Sequence, residues 1–109
     1  MNNDILTSLN ELFQTKARLG IMTTLATMEE CDFSTLKSHL ELTDGNLSAH
    51  LRVLEEAGYL AVEKKFVNRK PKTLYRLTEP GREAFLTYLR QLAAIIRMVD
   101  QERDPTLDS

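Results

Sequence analysis

Apolar residues recur along this chain at two different periods, and the switch between them falls near residue 59. In 3–14, Ile5, Leu6, Leu9, Leu12 and Phe13 follow one another at intervals of three and four, the spacing of one face of an amphipathic helix. Ala17, Ile21, Met22, Leu25 and Met28 repeat that pattern and predict a second helix. Gly20 lies inside it at a cost of about 1 kcal/mol relative to Ala, which a close approach by another helix would explain. Ser34 is placed to cap a short helix bearing Leu36 and Leu40. The turn Thr43-Asp44-Gly45-Asn46 offers two capping side chains, Thr43 and Asp44, for a longer helix with Leu47, Leu51 and Leu54 on one stripe. Gly58 suits the left-handed position that ends it.

From Tyr59 the period becomes two. Leu60, Val62, Lys64 and Phe66 alternate with Ala61, Glu63, Lys65 and Val67, and Thr73, Tyr75 and Leu77 alternate with Leu74, Arg76 and Thr78. Between these strands lies Asn68-Arg69-Lys70-Pro71-Lys72, which predicts an antiparallel hairpin with a basic tip. Thr78 then caps a last helix with Pro80 in its first turn, where a missing backbone donor costs little. Along that helix Phe85, Leu89, Leu92, Ile96 and Val99 form a seam, with Ala84, Tyr88 and Ile95 as a second stripe. Residues 101–109 read as a flexible tail.

This order of elements predicts an α+β, mainly α fold, a winged helix-turn-helix with a two-stranded hairpin wing. Residues 1–100 form the single domain, with the helix-turn-helix at 33–58, the wing at 59–78, and helices at 1–16 and 80–100 forming a dimerisation layer. In such units the second helix lies in the major groove with its N-terminal residues at the base edges. Here that helix is 44–57, and its contact positions are Asp44, Gly45, Asn46, Ser48, Ala49 and Arg52. Arg can donate bidentately to guanine, Asn can pair with adenine, and Gly and Ala permit close approach. Ser34 and Lys37 on the preceding helix are candidates for the phosphate backbone, or else ordinary surface residues.

Composition sharpens this picture. The chain has 109 residues, 42% hydrophobic, with one Cys and a formal net charge of −2. Chains of this size bury only about two-thirds of their unfolded surface, so a partner chain is a natural source of further stability. The seam of the last helix and the apolar face of the first, Ile5, Leu9 and Leu12, are candidates for contact with a second copy, the alternative being that they cover their own domain. Charge is segregated: residues 1–57 hold four basic side chains against nine acidic ones, whereas 58–76 hold Lys64, Lys65, Arg69, Lys70, Lys72 and Arg76 against Glu63 alone. Charges act over roughly 8 Å at physiological salt, so this local cluster outweighs the acidic total and points to a polyanion. Lys64, Lys65, Arg69, Lys70 and Lys72 are assigned to phosphates, with Arg69 at the tip the candidate for the minor groove.

The stretches "ARLGIMTTL" and "FSTLKSHLELTDGNLSAHLRVLEEAGYLAVEKKFVNRKPKTLYRLTEPGREAF" resemble the winged-helix transcriptional regulators of the MarR and ArsR superfamily over residues 17–92. The resemblance aligns Leu42-Thr43 with the opening of the recognition helix, Leu47-Ser48 and His50-Leu51 with its body, and 54–60 with its passage into the wing. Arg76-Leu77-Thr78 with Gly81-Arg82 is similar to that family's exit into the dimerisation helix. It implies a homodimer on a pseudo-palindromic operator in double-stranded DNA, usually as a repressor. The paired cysteines of metal-sensing ArsR relatives are absent.

Other chemistries have little to stand on. One Cys and two separated His residues supply no metal-ligand spacing, and no cofactor is expected. Cys31 reads as a small residue at a helix end, with a redox role only if its surroundings activate the thiol. His50 reads as a packing or phosphate-contacting residue. No glycine-rich phosphate loop or nucleophile motif suggests an enzyme. Neither a signal peptide nor a membrane span is recognisable, so a soluble cytoplasmic protein without membrane contact is expected. No constellation identifies a small-molecule effector. The alternative function is a winged-helix interaction module that binds an acidic protein surface, because fold does not fix function.

Overall fold

The computed structural model describes residues 3–102. The expected tail falls largely on 103–109, outside the described residues, and 101–102 are still helical.

The first apolar stretch is broken rather than continuous. Helix α1 covers Asn3–Ser8, and a separate 3-10 turn follows at Glu11–Phe13, opened by Asn10, whose side chain accepts from the Leu12 N–H. The break drives Phe13 inward: it is fully buried, with Tyr59, Phe85 and Tyr88 each at a ring-centroid distance of 5.4 Å. Helix α2, Lys16–Thr27, is capped by Thr15 and buries Ile21, Met22 and Leu25. Its Gly20 has the predicted neighbour, since a Cβ there would sit 2.9 Å from Leu40 Cδ2.

A two-residue strand β1, Cys31–Asp32, was not expected, and it leads straight into helix α3, Phe33–Leu40. The cap of α3 is Asp32, whose side chain accepts from the Thr35 N–H at 2.7 Å; Ser34 is in the first turn instead. Glu41 then takes the left-handed conformation (φ 54°) and Leu42 N–H returns to the Lys37 carbonyl, ending α3 without glycine. Helix α4, Asp44–Glu56, starts at Thr43, which caps Asn46 N–H. It ends as expected at Gly58 (φ 83°), with Tyr59 N–H bonded to Leu54 O and Gly58 N–H to Glu55 O, the double return of a Schellman cap.

Strands β2 (Leu60–Val67) and β3 (Lys70–Leu77) pair antiparallel with Val67 opposite Lys70. The loop is therefore two residues, Asn68 and Arg69, both at positive φ (54° and 66°), the signature of a type I′ turn. Lys70, Pro71 and Lys72, expected in the loop, belong to β3. Pro71 is tolerated because β1 pairs β3 only at Tyr75 and Leu74, leaving the side of β3 at Pro71 without a ladder partner. Among the described residues the sheet has three strands in the order β1-β3-β2, one more than the hairpin foreseen.

Helix α5, Glu79–Glu102, leaves the sheet through a tight junction. Thr78 Oγ1 accepts from Gly81 N–H and donates to Gly58 O, while Thr78 N–H binds Tyr59 O. A Cβ on Gly81 would clash with that same Tyr59 carbonyl oxygen, so only glycine fits here. The inner half of α5 docks Phe85, Tyr88 and Leu92 onto the core. At 24 residues the helix is about 36 Å long. It contributes to a shape of 67 × 24 × 23 Å and a radius of gyration of 17.5 Å, against about 13 Å for a compact chain of this length.

Candidate nucleic-acid interface

The amphipathic pattern of α4 decides what it shows to solvent. Leu47, Leu51 and Leu54 are buried, so Gly45, Ser48, Ala49 and Arg52, at intervals of three and four, face outward with Asp44 and Asn46 beside them. All six expected contact positions are exposed. Asp44 does not stand free: its carboxylate is 2.8 Å from Lys37 Nζ, across the turn between α3 and α4. Ser34 is exposed on the first turn of α3.

Beside α4 the wing forms the second wall of a groove of about 370 Å³, lined by Ser48, Arg52 and Glu55 from the helix and by Val62, Lys64, Thr73 and Tyr75 from the sheet. Strand alternation explains this set, since Lys64 lies opposite Thr73 and Val62 opposite Tyr75 on one face. Lys65 lies opposite Lys72 on the other face, with Lys70 across from Val67 two residues further out. The wing cations therefore do not converge; they line both faces of a ribbon with Arg69 at its end. Such a ribbon suits a groove with phosphates on either side. Lys72 is 3.3 Å from Asp32, and Arg76 is 3.9 Å from Glu63. Among the described residues no carboxylate pairs with Lys64, Lys65, Arg69 or Lys70.

Electrostatics separates structural from available groups. Asp32 is held below the usual carboxylate range by its bonds to Thr35 and, further down in effect, by Lys72. His50 is half-buried, with Nδ1 3.0 Å from Arg18 Nη1. Burial and then the Arg18 charge depress its pKa. Arg18 Nε also donates to Leu12 O, so His50 ties α4 to α2 and the 3-10 turn. Of its two expected roles, packing is the one this geometry serves. Cys31 is in β1 opposite Tyr75, buried, and not at a helix end. Burial, followed by the neighbouring Asp32, pushes its thiol pKa up, which disfavours the reactive thiolate. No group of three metal-ligating side chains occurs among the described residues, and none of the described helices is long and apolar enough to cross a membrane.

The helices expected to meet a second copy divide in two. Phe85 is removed from that surface: it is 1% exposed, pinned edge-on to Phe13 in its own core. Leu9, Leu12 and Leu92 are half-buried against the same core and Ile5 is half-buried on α1. Leu89, Ile96 and Val99 remain exposed, joined by Leu86 and Leu6. The expected seam mixes two stripes: its Phe85 and Leu92 belong with Tyr88 to the inward one, and its Leu89, Ile96 and Val99 belong with Leu86 to the outward one. Groove residues Val62, Thr73 and Tyr75 are signalled in the sequence by their parity with Lys64 in the hairpin, and Glu55 by its place one turn beyond Arg52 on α4.

A recognition helix exposed beside a cationic hairpin, on a helix-turn-helix buttressed by a three-stranded sheet, defines a winged-helix DNA-binding domain of the transcriptional-regulator class. The family model described as "Winged helix DNA-binding domain" matches residues 17–96, and the chain belongs to that family. It is 34% identical over 90 residues to an uncharacterized protein of Methanocaldococcus jannaschii, covering 83% of this chain and 98% of that one. It is similar to the solved structure of a transcriptional regulator homologue from Pyrococcus horikoshii, at 35% identity and a TM-score of 0.80, covering 90% of this chain and 95% of that one. Overoxidized AbfR, in a crystal structure with DNA, shares the fold at 18% identity and a TM-score of 0.68, over 97% of this chain and 77% of that one. The resemblance to winged-helix transcriptional regulators read from the sequence therefore stands.

Proposed function

We propose that this protein is a homodimeric, sequence-specific regulator that binds a pseudo-palindromic operator in double-stranded DNA and represses transcription, working by binding and not by catalysis, in the cytoplasm. The observation that carries the reading is the juxtaposition of Asn46, Ser48, Ala49 and Arg52 on one exposed stretch of α4 with a wing whose Lys64, Lys65, Arg69 and Lys70 lack carboxylate partners among the described residues. Base-edge readers and phosphate binders are different chemistries, and both occur here side by side. AbfR, which shares the fold, is bound to DNA in its crystal. Ser34 and Lys37 of α3 add backbone contacts in this reading. The exposed stripe Leu86, Leu89, Ile96 and Val99, with Ile5 and Leu6 of α1, is the surface assigned to the second copy, which would set half-sites about 34 Å apart.

The test is recovery of genomic fragments by the purified protein at about 0.15 M salt, beside the double variant Arg69→Ala, Lys70→Ala. Enrichment of a palindrome, weakened in the variant, supports the reading. A folded native protein that enriches no sequence overturns it in favour of a module for acidic protein surfaces.

A further inference from the structure

Phe66 is 75% exposed, the most exposed large apolar side chain among the described residues. The other strongly exposed ones, Leu6, Ile96 and Val99, are on helices assigned to a second copy, whereas Phe66 is on the wing. It faces Pro71 across the hairpin, one step in from the Val67–Lys70 pair that closes the turn. In a two-residue hairpin the closing pair exchanges hydrogen bonds, so Phe66 and Pro71 form the next, non-bonded pair, whose side chains approach more closely. Both residues share the face of Lys64 and Thr73, the groove-lining face, about 7 Å further out along the ribbon. Lys64 shares this face, Lys65 and Lys70 flank it on the opposite face and Arg69 is at the tip, all four without a carboxylate partner among the described residues.

An apolar protein partner would not require four unpaired cations on the same ribbon, and phosphate binding alone would not require an exposed phenyl ring. A duplex minor groove accommodates both. Its rims are anionic, and its floor can be opened by apolar side chains such as Phe and Pro that press between base steps and partly unstack them. We propose that Phe66, stiffened by Pro71, is an apolar wedge that enters the minor groove flanking each half-site and partly unstacks a base step there. The wing then reads deformability: flexible pyrimidine–purine steps such as TA accept the wedge at lower cost than stiff sequences. Specificity arises in this way at positions that α4 never reaches. The inference rests on the DNA-binding reading above.

The test uses the full-length protein and duplexes carrying the palindrome it recovers, with either TA or G·C steps in the flank and 2-aminopurine at that flank. Native protein is expected to raise the 2-aminopurine fluorescence on the TA flank and to bind that duplex more tightly. Phe66→Ala, a change at an exposed site that leaves the core intact, should abolish the fluorescence rise. It should also lose about tenfold in affinity on TA flanks, the scale of one lost aromatic–base contact, while keeping the slope of affinity against salt. Phe66→Leu should retain part of both. A Phe66→Ala protein that still unstacks the flank, or that keeps native affinity and flank preference, overturns the wedge and leaves the DNA-binding reading intact. Native protein that binds no duplex removes that reading, and the wedge with it.

Discussion

At the scale of single residues, position in the hydrogen-bond and charge network decides which polar side chains are free to act. Asp44 sits at the start of the proposed recognition helix yet is paired to Lys37. A carboxylate facing a phosphate backbone is unfavourable, so Asp44→Asn, which also releases Lys37, is expected to raise DNA affinity about threefold, a gain of the size of one exposed ion pair; a titration against the recovered palindrome reads this. Arg52→Ala and Asn46→Ala should act differently, relaxing the choice of base at one position each by about 1–3 kcal/mol with little change in salt dependence. Two groups link stability to pH in the same direction. His50 titrates below its ordinary value in the folded protein, so its contribution is complete above about pH 6.5 and is lost as the pH falls below that. Asp32 is also depressed, and its contribution is lost at lower pH still, as the pH falls through its folded value. Thermal melts from about pH 7 to pH 5 should therefore show a decline that His50→Gln flattens and that Asp32→Ala leaves in place, while Asp32→Ala costs about 1 kcal/mol at neutral pH through loss of the α3 cap.

At the scale of elements, what was legible in the sequence was set by how local the cause is. The period-two alternation of the hairpin, the Leu47–Leu51–Leu54 stripe and the Gly58 ending are local properties, and the structure follows them. Strand β1 was not legible because two residues carry no period; it exists only because Cys31 and Asp32 meet Tyr75 and Leu74 from a distant part of the chain. The cap of α3 was placed two residues late for a related reason, since Asp32 looked like loop until β1 gave it an extended backbone. Lys70, Pro71 and Lys72 have turn-like chemistry, which makes the wing tip look five residues long in the sequence, although pairing with β2 overrides it. For the site, the outward face of α4 is legible from its Leu47–Leu51–Leu54 stripe, but the division of wing cations between two faces requires the register. Gly81 carries an element-scale prediction: Gly81→Ala forces a Cβ against Tyr59 O at the α5 junction and should destabilise the fold by about 1–3 kcal/mol in urea titrations.

At the scale of the whole molecule, α5 extends past the core it closes, and its outer half carries Ile96 at 61% and Val99 at 54% exposure. A projecting helix with an apolar stripe has most to gain from a second copy of itself. Ile96→Glu should therefore yield a monomer by sedimentation, melt within about 0.5 kcal/mol of the native monomer core, as surface changes usually do, and lose operator affinity because two half-sites are no longer held together. If that variant stays dimeric, the surface assigned to the second copy is wrong even if the DNA-binding face is right.

The turn between Asn68 and Arg69 has a further consequence. A type I′ turn places both residues at positive φ, where Gly is at ease and an arginine is not. The protein thus holds Arg69 at the end of its wing in a backbone conformation that a smaller residue would occupy more comfortably. Arg69→Gly should make the hairpin sturdier by about 0.5–1 kcal/mol and the protein a weaker DNA binder at once. On the proposed reading, conformational ease and DNA binding pull in opposite directions at that one residue.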